Sequence, residues 1–444
     1  MGVALSRTPM DPSPTGSPSE DGLLRLTQVG LLALLLVTLG ASLCGLLAQG
    51  FLESHVVKLF DDLEAPIHLA RYVKIGMGSI AIVTVLGLMT VELWVRRGAA
   101  LRHRGWLFGL AGATTVLAVT VAVTVAALWL PTEAQAEAQR LIYSLDALAA
   151  LLLLLVIGVN VSWQEATRWP SWIWTAIALL FIAALLIADT LGGDILGTQG
   201  RLLVAGFPAC FGLAWTIWHR DSAAPSPIAN RGTLLGAFLV MLGAPYLIAL
   251  MYTDGEPYVI RAMYYITVFA FMANILVMLA VGARLLVQAT PDARATHALV
   301  VVGLFLMFMS LLPDYAPSWS SEHRHLFHRI GFDPNQGAPA IFMILLAASL
   351  QFLTRRDPQG GPPKWIGFLW LALLCLFLIA QWCATFQGHY DIRVLKVQDA
   401  RLELRRTRVI HLVEFAYALS LLPLLPSAWR VCRDLLRPLS PPRT

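Results

Sequence analysis

Apolar runs of about twenty residues, each bounded by charge, Pro or Gly, recur along the whole chain, and each has the length an α-helix needs to cross a hydrocarbon core of about 30 Å. Twelve such runs occur, at 26–47, 72–95, 105–130, 141–163, 171–191, 202–218, 233–252, 258–287, 296–312, 339–353, 365–383 and 409–425. The pattern predicts an all-α fold, a polytopic integral membrane bundle of about twelve transmembrane helices over 23–426. A polar, Pro/Ser-rich tail at 1–22 is expected to be disordered, and 427–444 forms a C-terminal tail. The internal connection 219–232 carries a Pro/Ser-rich stretch between the sixth and seventh helices and suggests a six-plus-six division, although no residue-level repeat relates the halves.

Composition agrees with the pattern. Hydrophobic residues make up 57% of the 444 positions and charged residues 13%, a balance that excludes a soluble enzyme, a disordered regulator and a disulfide-stapled secreted domain. The five cysteines are scattered and form no C-x-x-C clip or disulfide framework.

Twelve crossings place both termini on one side, and basic residues accumulate in the loops that are not exported. The termini and even-numbered loops hold 18 basic and 9 acidic residues, a net of +9, against 14 and 18, a net of −4, on the other face. Both termini are therefore expected in the cytoplasm, with an acidic face outside. One segment runs against the bias, because Arg393, Lys396, Arg401, Arg405, Arg406 and Arg408 fall on the outer side. The Arg/Ala/Leu-rich composition points to a bacterial-type inner membrane.

Charge changes the picture most where it lies inside the bilayer, since ionisable groups there are costly and tend to mark pathways or sites. Asp146, Asp189, Arg261, His411 and Glu414 all fall at a similar outer depth, with His411 and Glu414 sharing a helix face at i and i+3. The midplane is nearly free of charge, and Asn274 is its clearest polar residue. This distribution predicts a polar pocket open to the outside. Asp146, Asp189 and Arg261 are its candidate substrate-binding residues, with Arg261 paired to one of the carboxylates, and His411 and Glu414 are candidate catalytic groups. Glu92 reads instead as an interfacial charge four residues before Arg96.

Two external segments add chemistry. In 313–338, His325 and His328 are spaced to face together on one helical turn, as imidazole ligands to a divalent metal such as zinc or copper would. In the first external loop, Glu53, His55, Asp61, Asp62, Glu64 and His68 cluster before the second helix. A carboxylate in this position resembles the arrangement in membrane glycosyltransferases that use lipid-linked sugar donors. Over its few residues, that resemblance implies Asp61 or Asp62 as general base, with Arg261, Arg324 or Arg329 holding a diphosphate.

Other patterns point elsewhere. Pro208 and Pro245 lie within predicted helices six and seven, each shortly after a glycine, and helices broken in this way serve transporters. Gly105 and Gly109 form a small-xxx-small pair suited to a close helix contact. The string Ala209-Cys210-Phe211-Gly212-Leu213 resembles the nucleophile segment of exosortase-type membrane cysteine proteases, with Phe211 in place of a small polar residue. His219 and His297, the next histidines, fall on the inner side, away from an outward-facing thiol. Mid-helix histidines expected of a haem-copper oxidase are missing, and 96–104 lacks the acid expected in the corresponding loop of a major-facilitator carrier. The expected function is a membrane enzyme or binding protein with an outward pocket for a lipid-linked or small-molecule substrate. A secondary transporter and a structural subunit docking a partner through its external loops are the alternatives. Nucleic acid is not an expected partner.

Overall fold

The computed structural model describes residues 18–51, 64–97, 105–191, 205–221, 227–250, 258–289, 291–311 and 422–436, with isolated positions between 348 and 376. Among these residues the chain is helical and contains no strand. The helices are α1 (Pro18–Phe51), α2 (Glu64–Arg97), α3 (Gly105–Ala127), α4 (Thr132–Asn160), the short α5 (Trp163–Arg168), α6 (Pro170–Thr190), α7 (Phe207–Asp221), α8 (Pro227–Leu250), α9 (Tyr258–Gln288), α10 (Pro291–Leu311) and α11 (Leu424–Leu436).

Six stretches of the described residues are long and apolar enough to cross a membrane: Gly22–Gly45, Met77–Trp94, Gly105–Ala127, Ala134–Asn160, Pro170–Thr190 and Tyr265–Gln288. The chain is thus an α-helical, multi-pass membrane protein. Shorter apolar helices occupy Asn230–Leu242 and Ala293–Phe308. The expected count of twelve extends beyond what is described, since the predicted spans 339–353, 365–383 and 409–425 lie almost wholly outside the described residues.

Helix α2 is the centre of the first half. Its apolar stretch is 83% buried, and α1, α3 and α4 all pack on it. Helix α7 plays the same part further along, with every residue from Ala205 to Trp218 buried and with α2, α6 and α10 as neighbours. A helix that is apolar all round belongs in a protein core or in lipid, and α2 and α7 are covered by other helices. Outer helices instead turn large side chains outward, among them Phe108, Leu155 and Phe269, which suits contact with lipid.

Glycines set the crossings. A Cβ on Gly109 would meet Val156 Cγ2 at 2.5 Å, so α3 and α4 touch there, whereas Gly105 faces open space. Only the second member of the predicted small-residue pair therefore makes a close contact. Gly87 admits Leu153 of α4 against α2, and Gly212 lies against Thr175 of α6.

Several predicted boundaries shift. Helix α4 starts at Thr132, not 141, because its opening segment TEAQAEAQR is polar yet rich in good helix formers. Hydropathy marks where the lipid begins, while helix propensity carries the helix beyond it. Pro208 is the second residue of α7, and the two residues before that helix, Ala205 and Gly206, are wound as π-helix. Helix α8 continues as α-helix through Pro245. The helix α1 opens at Pro18, within the segment read as a tail.

Candidate functional site

Asp146 is the buried charge around which a site can be built. It sits in α4 fourteen residues before Asn160, about 21 Å along the axis from the C-terminal end of that helix. The residue is 0% exposed, and neither carboxylate oxygen has a hydrogen-bond partner. Ser79 of α2 is the polar side chain that approaches it.

Packing explains this placement. Helices α2 and α4 run side by side in the same direction, and Gly87 lets the Leu153 methyls rest against the α2 backbone, 3.2 Å from where a Cβ would stand. Two turns back toward the other end, the same register brings position 146 to position 79. On the other side of α4, Ser144 Oγ donates to Thr190 Oγ1 over 3.3 Å, while Thr190 itself donates to the Leu186 carbonyl at 2.8 Å. That bond ties α4 to the last turn of α6 and brings half-buried Asp189, on that turn, to a level close to Asp146. Two of the three expected substrate-binding residues therefore lie on packed helices at neighbouring depths.

Arg261 lies in the first turn of α9, and the position of its side chain falls outside the described residues. Helix α9 packs mainly on α8 and α10, and α4 on α2, α3 and α6. Asp61, Asp62, His325, His328, His411 and Glu414 also lie outside the described residues. Among the described residues, no group of three or more His, Cys, Asp or Glu side chains is placed to hold a metal ion.

Asn274, expected as a midplane polar group, is 3% exposed and donates from Nδ2 to the Ala270 carbonyl at 2.8 Å. Its amide rests against the backbone of Gly236 on α8. The amide is thus used in packing one helix on another. Cys210 is fully buried, on a helix whose Phe207 and Phe211 pack against Phe271 of α9. His219 stands nine residues further along α7, about 13 Å away by helical rise, so the two do not form a dyad.

Polar interactions also concentrate at the opposite end of the bundle, with little sign of them in the spacing of residues. Gln28 Nε2 of α1 donates to Glu92 Oε2 of α2 at 3.1 Å, and both residues are buried. Glu92 is therefore buried between α1 and α2, where its spacing to Arg96 alone had suggested an interfacial charge. Trp94 beside it lies 5.2 Å from Trp106 and 5.6 Å from Trp172, ring centroid to centroid. Close by in the chain, the His219 ring stacks on Trp169 at 3.4 Å, and its Nδ1 is 3.1 Å from Ser171 Oγ. Asn230 donates to the Thr167 carbonyl, linking α8 to the short helix α5. The available sequence signal was a set of polar residues at run ends, which spacing alone assigns to the interface.

No protein-family model, no curated protein and no solved structure matches this chain, so its geometry is what a functional reading rests on.

Proposed function

We propose that this chain resides in a bacterial inner membrane with both termini in the cytoplasm. In this reading its outer third holds a polar pocket, built on Asp146 and Asp189, that binds or processes a small or lipid-linked substrate. The observation that carries the proposal is the Asp146 carboxylate, fully buried in an apolar bundle and faced by Ser79 of α2. A carboxylate held at such depth marks a substrate path, a proton relay or an internal ion pair. Arg261 is the cation proposed to meet it, with His411 and Glu414 as proton-handling groups at the same depth. Asp61 or Asp62 is the proposed general base of the first external loop. His325 and His328 are proposed metal ligands, and an unchanged metal content in the doubly alanine-substituted protein would remove them from the site.

The pocket is tested by thiol accessibility. In a background lacking the five native cysteines, Asp146→Cys should react with a small membrane-impermeant methanethiosulfonate added from outside the cell, as Glu133→Cys at the start of α4 should. Reaction at 133 with none at 146 would sink the pocket. Pairing is tested separately: Arg261→Gln should lower the folded yield, and adding Asp146→Asn or Asp189→Asn should restore it.

A secondary transporter is the second reading, favoured by the π-wound turn at Ala205 and Gly206 ahead of Pro208, since irregular backbone inside a bundle can coordinate a passing substrate. Solute counterflow in proteoliposomes that disappears in Asp146→Asn would select it over an enzyme.

A further inference from the structure

The C-terminal helix α11 has two apolar faces, of which the bundle uses one. Leu424, Ser427, Ala428, Val431 and Cys432 are buried, and the helix packs against α1. On the remaining surface Trp429 is 62% and Leu436 57% exposed, and Arg430 and Arg433 are exposed between them. Trp429, Arg433 and Leu436 follow one another at i, i+4 and i+7, so they form a single stripe with Arg430 at its edge. Arg433 Nε lies 3.6 Å from Asp434 Oδ1. That contact is long and exposed, so it is weak.

Water does not favour a stripe holding an indole and a leucine, and a lipid-tail surface does not favour two guanidinium groups. The boundary between them suits both, because an indole settles at headgroup level while arginine stems run along apolar surface and their heads reach the phosphates. At 13 residues, or about 20 Å, α11 is too short to span a bilayer and long enough to lie along one. It also directly follows the last predicted span, which keeps it at the membrane surface.

We propose that the outward face of α11 is a binding site for anionic phospholipid headgroups, with Arg430 and Arg433 holding the phosphate and Trp429 and Leu436 inserted beside it. Charge complementarity selects anionic over zwitterionic lipid, since each basic side chain near such a surface contributes about five-fold in affinity.

The test uses the full chain. Phosphatidylglycerol and phosphatidylcholine are titrated onto detergent-solubilised protein, and bound lipid is counted by native mass spectrometry. Phosphatidylglycerol should bind more tightly than phosphatidylcholine, and its affinity should fall as salt rises. The variant Arg430→Gln/Arg433→Gln should lose roughly 25-fold for phosphatidylglycerol and little for phosphatidylcholine, whereas Arg140→Gln, which removes an exposed arginine elsewhere, should change neither. Arg430→Lys/Arg433→Lys should keep most of the preference. In nanodiscs, the emission lost between wild type and Trp429→Phe should be quenched by brominated lipid. Equal binding of the two lipids by the wild type would overturn the proposal even if the glutamine variant failed to fold. Quenching of the Trp429 emission by aqueous iodide alone would also overturn it, and would leave that face to water or a soluble partner.

Discussion

The side-chain amide of Asn274 fills the place that a β-carbon on Gly236 would occupy, so α8 and α9 meet through an amide lying on bare backbone. The same amide donates to the Ala270 carbonyl, which fixes its rotamer and leaves it little freedom to yield. Gly236→Ala should therefore destabilise the protein by about 1–3 kcal/mol, as overpacking of a close contact does. Thermal unfolding in detergent measures it. Asn274→Ala introduced together with Gly236→Ala should recover most of the loss, and simple additivity of the two effects would show that the contact is not the cause.

Gln28 and Glu92 form a buried polar link between α1 and α2. Gln28→Ala removes a donor from a carboxylate inside the bundle and should cost about 1–3 kcal/mol. Glu92→Gln keeps an acceptor for Gln28 and should cost less than Gln28→Ala. Were Glu92 a solvated charge near Arg96, all substitutions at both positions would fall within about 0.5 kcal/mol of wild type.

Cys432 is packed beneath α11 at 2% exposure, and burial pushes its thiol above the ordinary value of 9.0. The thiolate is the reactive form, so maleimide labelling of Cys432 near neutral pH should be slow in the folded protein and fast in sodium dodecyl sulfate. The sign for stability follows from linkage. Because the folded value is the raised one, the contribution is fully present below pH 9 and is lost as pH climbs from there toward the folded value. An unfolding midpoint that rises through that window would contradict the assignment.

Orientation rests on charge bias. A fluorescent-protein reporter placed after Ala100 should be bright, and an alkaline phosphatase reporter placed after Pro334 should be active. The reverse pair of results would invert the topology.

The hydropathy pattern alone identified every long helix that the structure describes. A membrane span must hide each backbone N–H and C=O within its own helix, so the apolar run and the element are nearly the same thing. Asp146 was legible for the same reason, since a charge inside a twenty-residue apolar run is conspicuous wherever the helices go. Helix neighbours were not legible. That Leu153 rests on Gly87, that Asp146 faces Ser79, and that Gln28 meets Glu92 across 64 positions all depend on which faces touch. An apolar stripe in lipid carries little hydrophobic preference for protein over lipid tails, so helix pairing is decided by small residues and interlocking shape. Spacing placed Glu92 beside Arg96 on one helix, and tertiary packing turned it inward to a partner on another. The residues from 427 onward likewise read as a C-terminal tail, and it was contact with α1 that divided their helix into a docked face and a free one.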